Sequence, residues 1–484
     1  MTTGGGDNTM IAKSSGTTQR ASALDALRGY AILTMVLSGT IAFGILPGWM
    51  YHAQVPPPAH QFTPSVFGIT WVDLVFPFFI FAMGAAFPFS IGKKLNKEGE
   101  TYKAILSAIV RGCQLTFFAI FIQHLYPWTL SNPQNLTAWL TTLFAFALLF
   151  PMFMRLPQRY PKAIRVAVKV AAYGIGVILL LTLNYANNRT FSLGFSNIII
   201  LVLANMAIFG SLAYIFTYRN KLARLAILPF IMAIFLGSST EGSWVQWLYN
   251  FSPVPWLYKF YYLKYLFIII PGSIAGEYLM EWMKTSQTAK PELRQEKQIA
   301  WLMTGLTAGL IVCNLYGLYT RQLVLNLALT SALLTAGIYF LRKQETRDVL
   351  LWKKLFTAGA YFLMLGLFLE AYEGGIRKDT STYSYYFVTS GLAFMALIFF
   401  SVVCDYFRGS KYCRFLIGSG QNPMIAYVGT SMLIMPVLNI TGLVPYLTVF
   451  DSDPWLGLLK GLLITALVTL ITLFFTRIKW FWRT

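Results

Sequence analysis

The feature that most constrains this chain is a succession of apolar runs, each about 20 residues long, separated by short polar connections. A soluble core has no room for so many. In hydrocarbon each run must be a helix, because its backbone amides and carbonyls find no partner outside their own segment. The runs fall near 27–47, 67–91, 103–125, 137–154, 166–184, 195–217, 222–238, 260–281, 299–319, 322–341, 353–371, 384–405, 421–441 and 455–476. Short or crowded pairs can merge or be re-entrant, so an all-α polytopic bundle of about 11 to 14 transmembrane helices is expected. Composition agrees, with 56% hydrophobic and 12% charged residues over 484 positions.

A formal charge of +20 in a soluble domain would point to nucleic acid. Here the cations cluster in alternate loops instead. They include Lys93, Lys94 and Lys97, then Arg155, Arg159, Lys162 and Arg165, then Arg219, Lys221 and Arg224, and later groups within 284–297, 342–354, 408–414 and 477–483. All lie on one side of the expected membrane, which the positive-inside rule makes cytoplasmic. The expectation is therefore a multi-pass protein of the inner membrane with both termini cytoplasmic, the lipid bilayer as its surroundings and no nucleic-acid partner. The opposite loops are poor in Lys and Arg and rich in rings, among them Trp244, Trp247, Trp256 and Tyr261. Such rings form an interfacial belt or stack on sugars.

The four cysteines are scattered without CxxC or His-rich spacing, so neither a metal site nor a disulfide framework is expected. Residues 1–21 are Gly/Ser/Thr-rich and lack an apolar signal segment, which reads as a disordered cytoplasmic tail ahead of one transmembrane domain over 22–484. The polar linker MKTSQTAKPELRQEKQ has no core of its own, and no internal repeat is evident.

Acid/base chemistry concentrates in one place. Of three histidines, His52 and His60 share the loop between the first two apolar stretches, and Asp73 follows just inside the second. An ionisable residue within a span is costly and marks a candidate site. A carboxylate beside imidazole fixes its tautomer and stabilises the imidazolium, which suits a general base or an acyl-accepting nucleophile. Equally, Asp73 can cap the second helix by binding loop amides. His124, beside Pro127 and Trp128 at the end of the third stretch, reads as an interfacial structural residue.

Five sequence blocks and a histidine loop carry a family likeness. SALDALRGYAIL, a histidine loop and GITWVDLVFPFFIFAMGAAF resemble the signature of the heparan-α-glucosaminide N-acetyltransferase family, with Asp-x-x-Arg-Gly at Asp25 to Gly29 and Asp-Leu-Val-Phe-Pro from Asp73 to Pro77. IIPGSIAGEYL, YYFVTSGLAFMALIFFSVVCDYF and GSGQNPMIAYV are similar to later family blocks. The resemblance implies an acetyltransferase that takes acetyl-CoA, its acyl donor, from the cytoplasm and passes the acetyl group to an amino sugar or glycan on the other side through a loop histidine. His52, in Tyr51-His52-Ala53, matches the family's His-Ala motif by type, whereas His60 lies closer to the family's spacing from Asp73; both are candidates. Gly39 stands where the family often has Asn.

Beside that resemblance, Arg28 at the mouth of the first stretch reads as a topology anchor or as a bidentate hold on coenzyme A phosphates, with Asp25 at i−3 to orient it. Arg111, inside the third stretch, must pair, with Asp73 or a carbonyl, or line a wet cavity such as a coenzyme A channel. Asn422 and Pro423 suggest a helix break near the pantetheine, or a simple kink. A homodimer is compatible with the sequence. The rival class is a transporter or flippase of glycans or lipid-linked sugars, which would call for inverted repeats and paired broken helices.

Overall fold

The computed structural model of the protein describes residues 21–41, 43–95, 100–157, 159–285, 294–342 and 346–483. The N-terminal tail, Lys97 and the middle of the long linker lie outside the described residues.

All fourteen apolar stretches are helical. In chain order they are α1 Ser22–Ser38, α2 Trp71–Leu95, α3 Thr101–His124, α4 Leu136–Phe153, α5 Lys162–Thr182, α6 Ile198–Phe216 and α7 Lys221–Gly237. They continue as α8 Phe260–Lys284, α9 Arg294–Tyr319, α10 Leu323–Leu341, α11 Arg347–Tyr372, α12 Tyr383–Tyr406, α13 Pro423–Ile440 and α14 Pro454–Arg477. Twelve of these helices are long and apolar enough to cross a membrane; α1 and α7, at 17 residues each, fall just short. Among the described residues no strand forms, only an isolated bridge between Met154 and Trp482. The chain is an all-α, multi-pass membrane bundle.

Helix α12 is its axis. Every residue from 383 to 398 is buried, as expected for a helix that is apolar all round, and α1, α2, α8, α9 and α11 pack about it. At the periphery α5, α10 and α14 bury only 17%, 22% and 22% of their most apolar stretch, so their remaining surface faces lipid.

Small residues set the closest contacts. A Cβ at Gly84, Gly272 or Gly276 would stand 2.3, 2.3 and 2.1 Å from the backbone oxygens of Ile269, Phe81 and Ala85. Helices α2 and α8 thus pack backbone to backbone, the arrangement that Gly-x-x-x-Gly favours in membranes. A helix over Arg414–Gln421 lies equally close to α1, where Gly29 faces the carbonyl of Leu416 and Gly420 that of Asp25.

The two helix ends that flank the histidine loop differ from the hydropathy reading. Helix α1 ends at Ser38 rather than near 47, because Gly39, Gly44 at φ +85° and Pro47 break it. The apolar residues beyond, Ile41, Leu46, Met50 and Tyr51, form a small cluster with Trp71 instead. Helix α2 begins at Trp71 rather than 67, since Gly68 at φ +122° cannot be helical. Asp73 therefore sits in its first turn.

Candidate active site

Asp73 is the third residue of α2 and its side chain is 0% exposed. One carboxylate oxygen, Oδ2, accepts hydrogen bonds from the backbone N–H of Thr70 at 2.9 Å and of Ala53 at 3.2 Å. The Thr70 bond caps α2 at its N-terminus, and the Ala53 bond ties the histidine loop to the same carboxylate. The other oxygen, Oδ1, lies 3.0 Å from His52 Nδ1 and 3.7 Å from Lys378 Nζ. Capping and pairing with imidazole are thus both realised, by different oxygens. From α12, the Tyr385 hydroxyl donates to the Asp73 carbonyl at 2.8 Å and ties the turn to the centre of the bundle.

The loop that carries His52 is fastened to the connection between α11 and α12. His52 Nε2 stands 3.0 Å from Asp379 Oδ2, whose side chain is half exposed. Gln54, fully buried, accepts from the Asp379 N–H at 2.8 Å, donates to the Asp379 carbonyl and donates to the Pro64 carbonyl at 2.9 Å. Gly68 N–H donates to the Ile376 carbonyl at 2.7 Å. The imidazole is therefore clamped between two carboxylates. Burial on its own lowers the His52 pKa, but the hydrogen bonds to Asp379 and Asp73 outweigh it and hold the value above the ordinary 6.5.

His60 is placed differently. Its backbone is left-handed, at φ 47°, and its ring meets those of Tyr51 and Phe43 edge-on at 5.0 and 6.0 Å. No salt bridge joins it to Asp73. His124 is buried against Tyr185, Phe191 and Phe195, with Nδ1 donating to the Ile120 carbonyl at 2.9 Å and Nε2 accepting from the Ser192 N–H at 3.3 Å.

Farther along α2 lies a cavity of about 290 Å³. Phe76, Phe79, Met83 and Ser90 of α2 line it together with Arg28, Arg111, Arg155 and Arg483, and no carboxylate does. From Phe76 to Ser90 the helix rises roughly 21 Å at 1.5 Å per residue, and Phe76 is within one turn of Asp73. Arg28 donates to the carbonyls of Gly420 at 3.3 Å and Ala82 at 3.5 Å, with Asp25 Oδ1 3.6 Å away. Arg111 makes no salt bridge with Asp73; its Nε is buried without a hydrogen-bond partner. Asn422 separates the helix Arg414–Gln421 from α13, so the chain does break there. Its side chain donates to the Trp480 carbonyl at 2.8 Å and accepts from the Trp482 N–H at 3.2 Å, while its neighbours Gln421 and Pro423 line the cavity.

Gln54, Lys378 and Asp379 escaped the sequence reading. Their trace was the pair Arg377–Lys378, two cations in a loop on the side where cations are otherwise scarce.

A family model described as a domain of unknown function, DUF5009, matches residues 20–279, more than half of the chain. The chain belongs to this family. The DUF5009 match takes in α1 to α7 and most of α8, and with them Arg28, His52, His60, Asp73 and Arg111. Lys378, Asp379 and Asn422 come from beyond it, so the clamp on His52 joins the DUF5009 region to the rest of the chain. No curated protein matches the sequence.

Proposed function

We propose that this DUF5009 protein is a membrane acetyltransferase that moves an acetyl group from cytoplasmic acetyl-CoA to an amino sugar or glycan on the far side of the inner membrane. The observation that carries the reading is the 3.0 Å contact of His52 Nδ1 with Asp73 Oδ1 at the head of the helix that lines an arginine cavity. The resemblance of the Asp25 to Gly29 and Asp73 to Pro77 motifs to the heparan-α-glucosaminide N-acetyltransferase family points the same way.

The residues fit the donor's chemistry. Arg28, Arg111, Arg155 and Arg483 offer guanidinium groups suited to the phosphates of coenzyme A, and Phe76, Phe79 and Met83 offer an apolar wall. With Asp379 Oδ2 accepting from Nε2–H and the Gln54 N–H donating to Nδ1 at 3.2 Å, the resting imidazole holds its proton on Nε2; the catalytic tautomer is the other one, with Nδ1–H toward Asp73 and the lone pair on Nε2. An acceptor reaching Nε2 takes the place of the half-exposed Asp379 carboxylate. As the neutral amine or hydroxyl adds to the acetyl carbon, Nε2 takes its proton, the new C–N or C–O bond forms, the C–S bond breaks and coenzyme A leaves as a thiolate that is then protonated. The same residues serve a two-step route in which Nε2 itself first receives the acetyl group. Release or exchange of coenzyme A without acceptor distinguishes the second route from the first.

The arginine cavity alone would also suit a transporter of anionic glycans or lipid-linked sugars; the His52–Asp73 pair favours catalysis. Incubating purified protein with labelled acetyl-CoA and a panel of amino sugars and cell-wall fragments tests the choice. Label in an acceptor supports acetyl transfer. Absence of any labelled product, with glycan movement across proteoliposomes, would replace it with transport.

A further inference from the structure

The corner between α4 and α5 carries three cations on α5 that acetyl transfer does not use, beside Arg155 of the arginine cavity. No Asp or Glu occurs between Glu100 and Glu241. Within that stretch Arg155, just after α4, and Lys162, Arg165 and Lys169 of α5 line one open groove of about 820 Å³. The three α5 cations recur at i, i+3 and i+7 and so share a helix face. Among the described residues none of the four forms a salt bridge, and Arg165 Nε is buried without a hydrogen-bond partner. Four like charges gathered in one groove repel one another and favour a counter-anion.

The rest of the groove says what kind of anion. Its wall is apolar, made by Pro151, Met154, Val166 and Val170, and it continues onto the flank of α5, the helix least buried in the bundle. The cations lie at the ends of two membrane-crossing helices, the level at which phospholipid headgroups sit. A soluble anion would meet the cations and leave the wall uncovered. A zwitterionic lipid would cover the wall and bring a cation of its own.

We propose that the α4–α5 groove binds an anionic diacyl phospholipid, with its phosphate held by Arg155, Lys162, Arg165 and Lys169 and an acyl chain along Val166 and Val170. Arg155 lines both this groove and the arginine cavity, so the headgroup sits beside the cavity. The lipid site stands whether or not the protein transfers acetyl groups.

Native mass spectrometry of the full-length protein with equimolar dioleoylphosphatidylglycerol and dioleoylphosphatidylcholine tests it. Removal of a cation near a headgroup lowers affinity about fivefold. Wild type should prefer phosphatidylglycerol by at least about tenfold, and the triple variant Lys162→Gln/Arg165→Gln/Lys169→Gln should fall to near parity. Lys93→Gln/Lys94→Gln, which removes cations elsewhere, should keep the preference. Should the triple variant fail to fold, the exposed single change Lys162→Gln should still lower the preference about fivefold. Parity in wild type, or an unchanged preference in the groove variants, overturns the proposal. Displacement of phosphatidylglycerol by inorganic phosphate at equal concentration would also overturn it, in favour of a soluble-anion site.

Discussion

His52 Nδ1 and Asp73 Oδ1 lie 3.0 Å apart, while the second oxygen of the same carboxylate caps α2 through the amide of Thr70 and binds the loop amide of Ala53. The group that orients the imidazole is thereby fixed by the helix it starts. Two substitutions separate the roles. Asn at position 73 keeps an oxygen for the amides but cannot stabilise an imidazolium, so Asp73→Asn should lower acetyl transfer by about 10²–10⁴-fold with a loss of stability below about 1 kcal/mol. Asp73→Ala should lose the cap as well and leave buried amides unpaired, at about 1–3 kcal/mol. Thermal unfolding beside activity checks both; equal destabilisation by the two variants would contradict the division of labour.

The second prediction concerns pH. Catalysis needs the neutral imidazole, and the raised His52 pKa places the acid limb of the rate profile above 6.5. Asp379→Asn removes the hydrogen bond that contributes most to the rise, so the limb should move toward lower pH. Stability carries the matching sign. Because the folded pKa is the higher one, protonated His52 stabilises the fold fully below 6.5, and that contribution is lost as pH rises through the folded value. A limb that stays in place or moves upward in Asp379→Asn would count against the clamp.

Arg28 provides the third. If it holds coenzyme A phosphates, Arg28→Gln should weaken acetyl-CoA binding by more than about 1.5 kcal/mol, the lower range for a charged hydrogen bond. Isothermal titration gives the value directly. An unchanged Kd would return Arg28 to the role of anchoring α1 to Gly420 and Ala82.

A fourth prediction is topological. With cytoplasmic termini, the His52 loop faces the periplasm. Cysteine at the exposed Gln61 should react with a membrane-impermeant thiol reagent in intact cells. Reaction only after permeabilisation would reverse the orientation and with it the direction of acetyl transfer.

The helices were legible because hydrocarbon leaves the backbone no alternative, and all fourteen apolar stretches are helical in the fold. The end of α1 was not, since hydropathy counts Ile41 and Leu46 as apolar without registering that Gly39, Gly44 and Pro47 turn the chain. His52 and Asp73 were readable as a pair because a single loop separates them. Asp379 was not, because it reaches His52 across 327 positions and only the fold brings the α11–α12 connection over the histidine loop. The bonds from Asn422 to Trp480 and Trp482 likewise depend on where the C-terminal segment docks. Sequence spacing carries no information about that.

The most direct measurement is acetyl transfer by wild type, His52→Ala, His60→Ala and the double variant, each with its coenzyme A affinity. His52→Ala should lose at least about 10²-fold in rate with coenzyme A still bound, and His60→Ala, whose ring packs on Tyr51 and Phe43, should retain most of it. Near-wild-type transfer by His52→Ala would contradict the assignment of His52 and Asp73 as the catalytic pair.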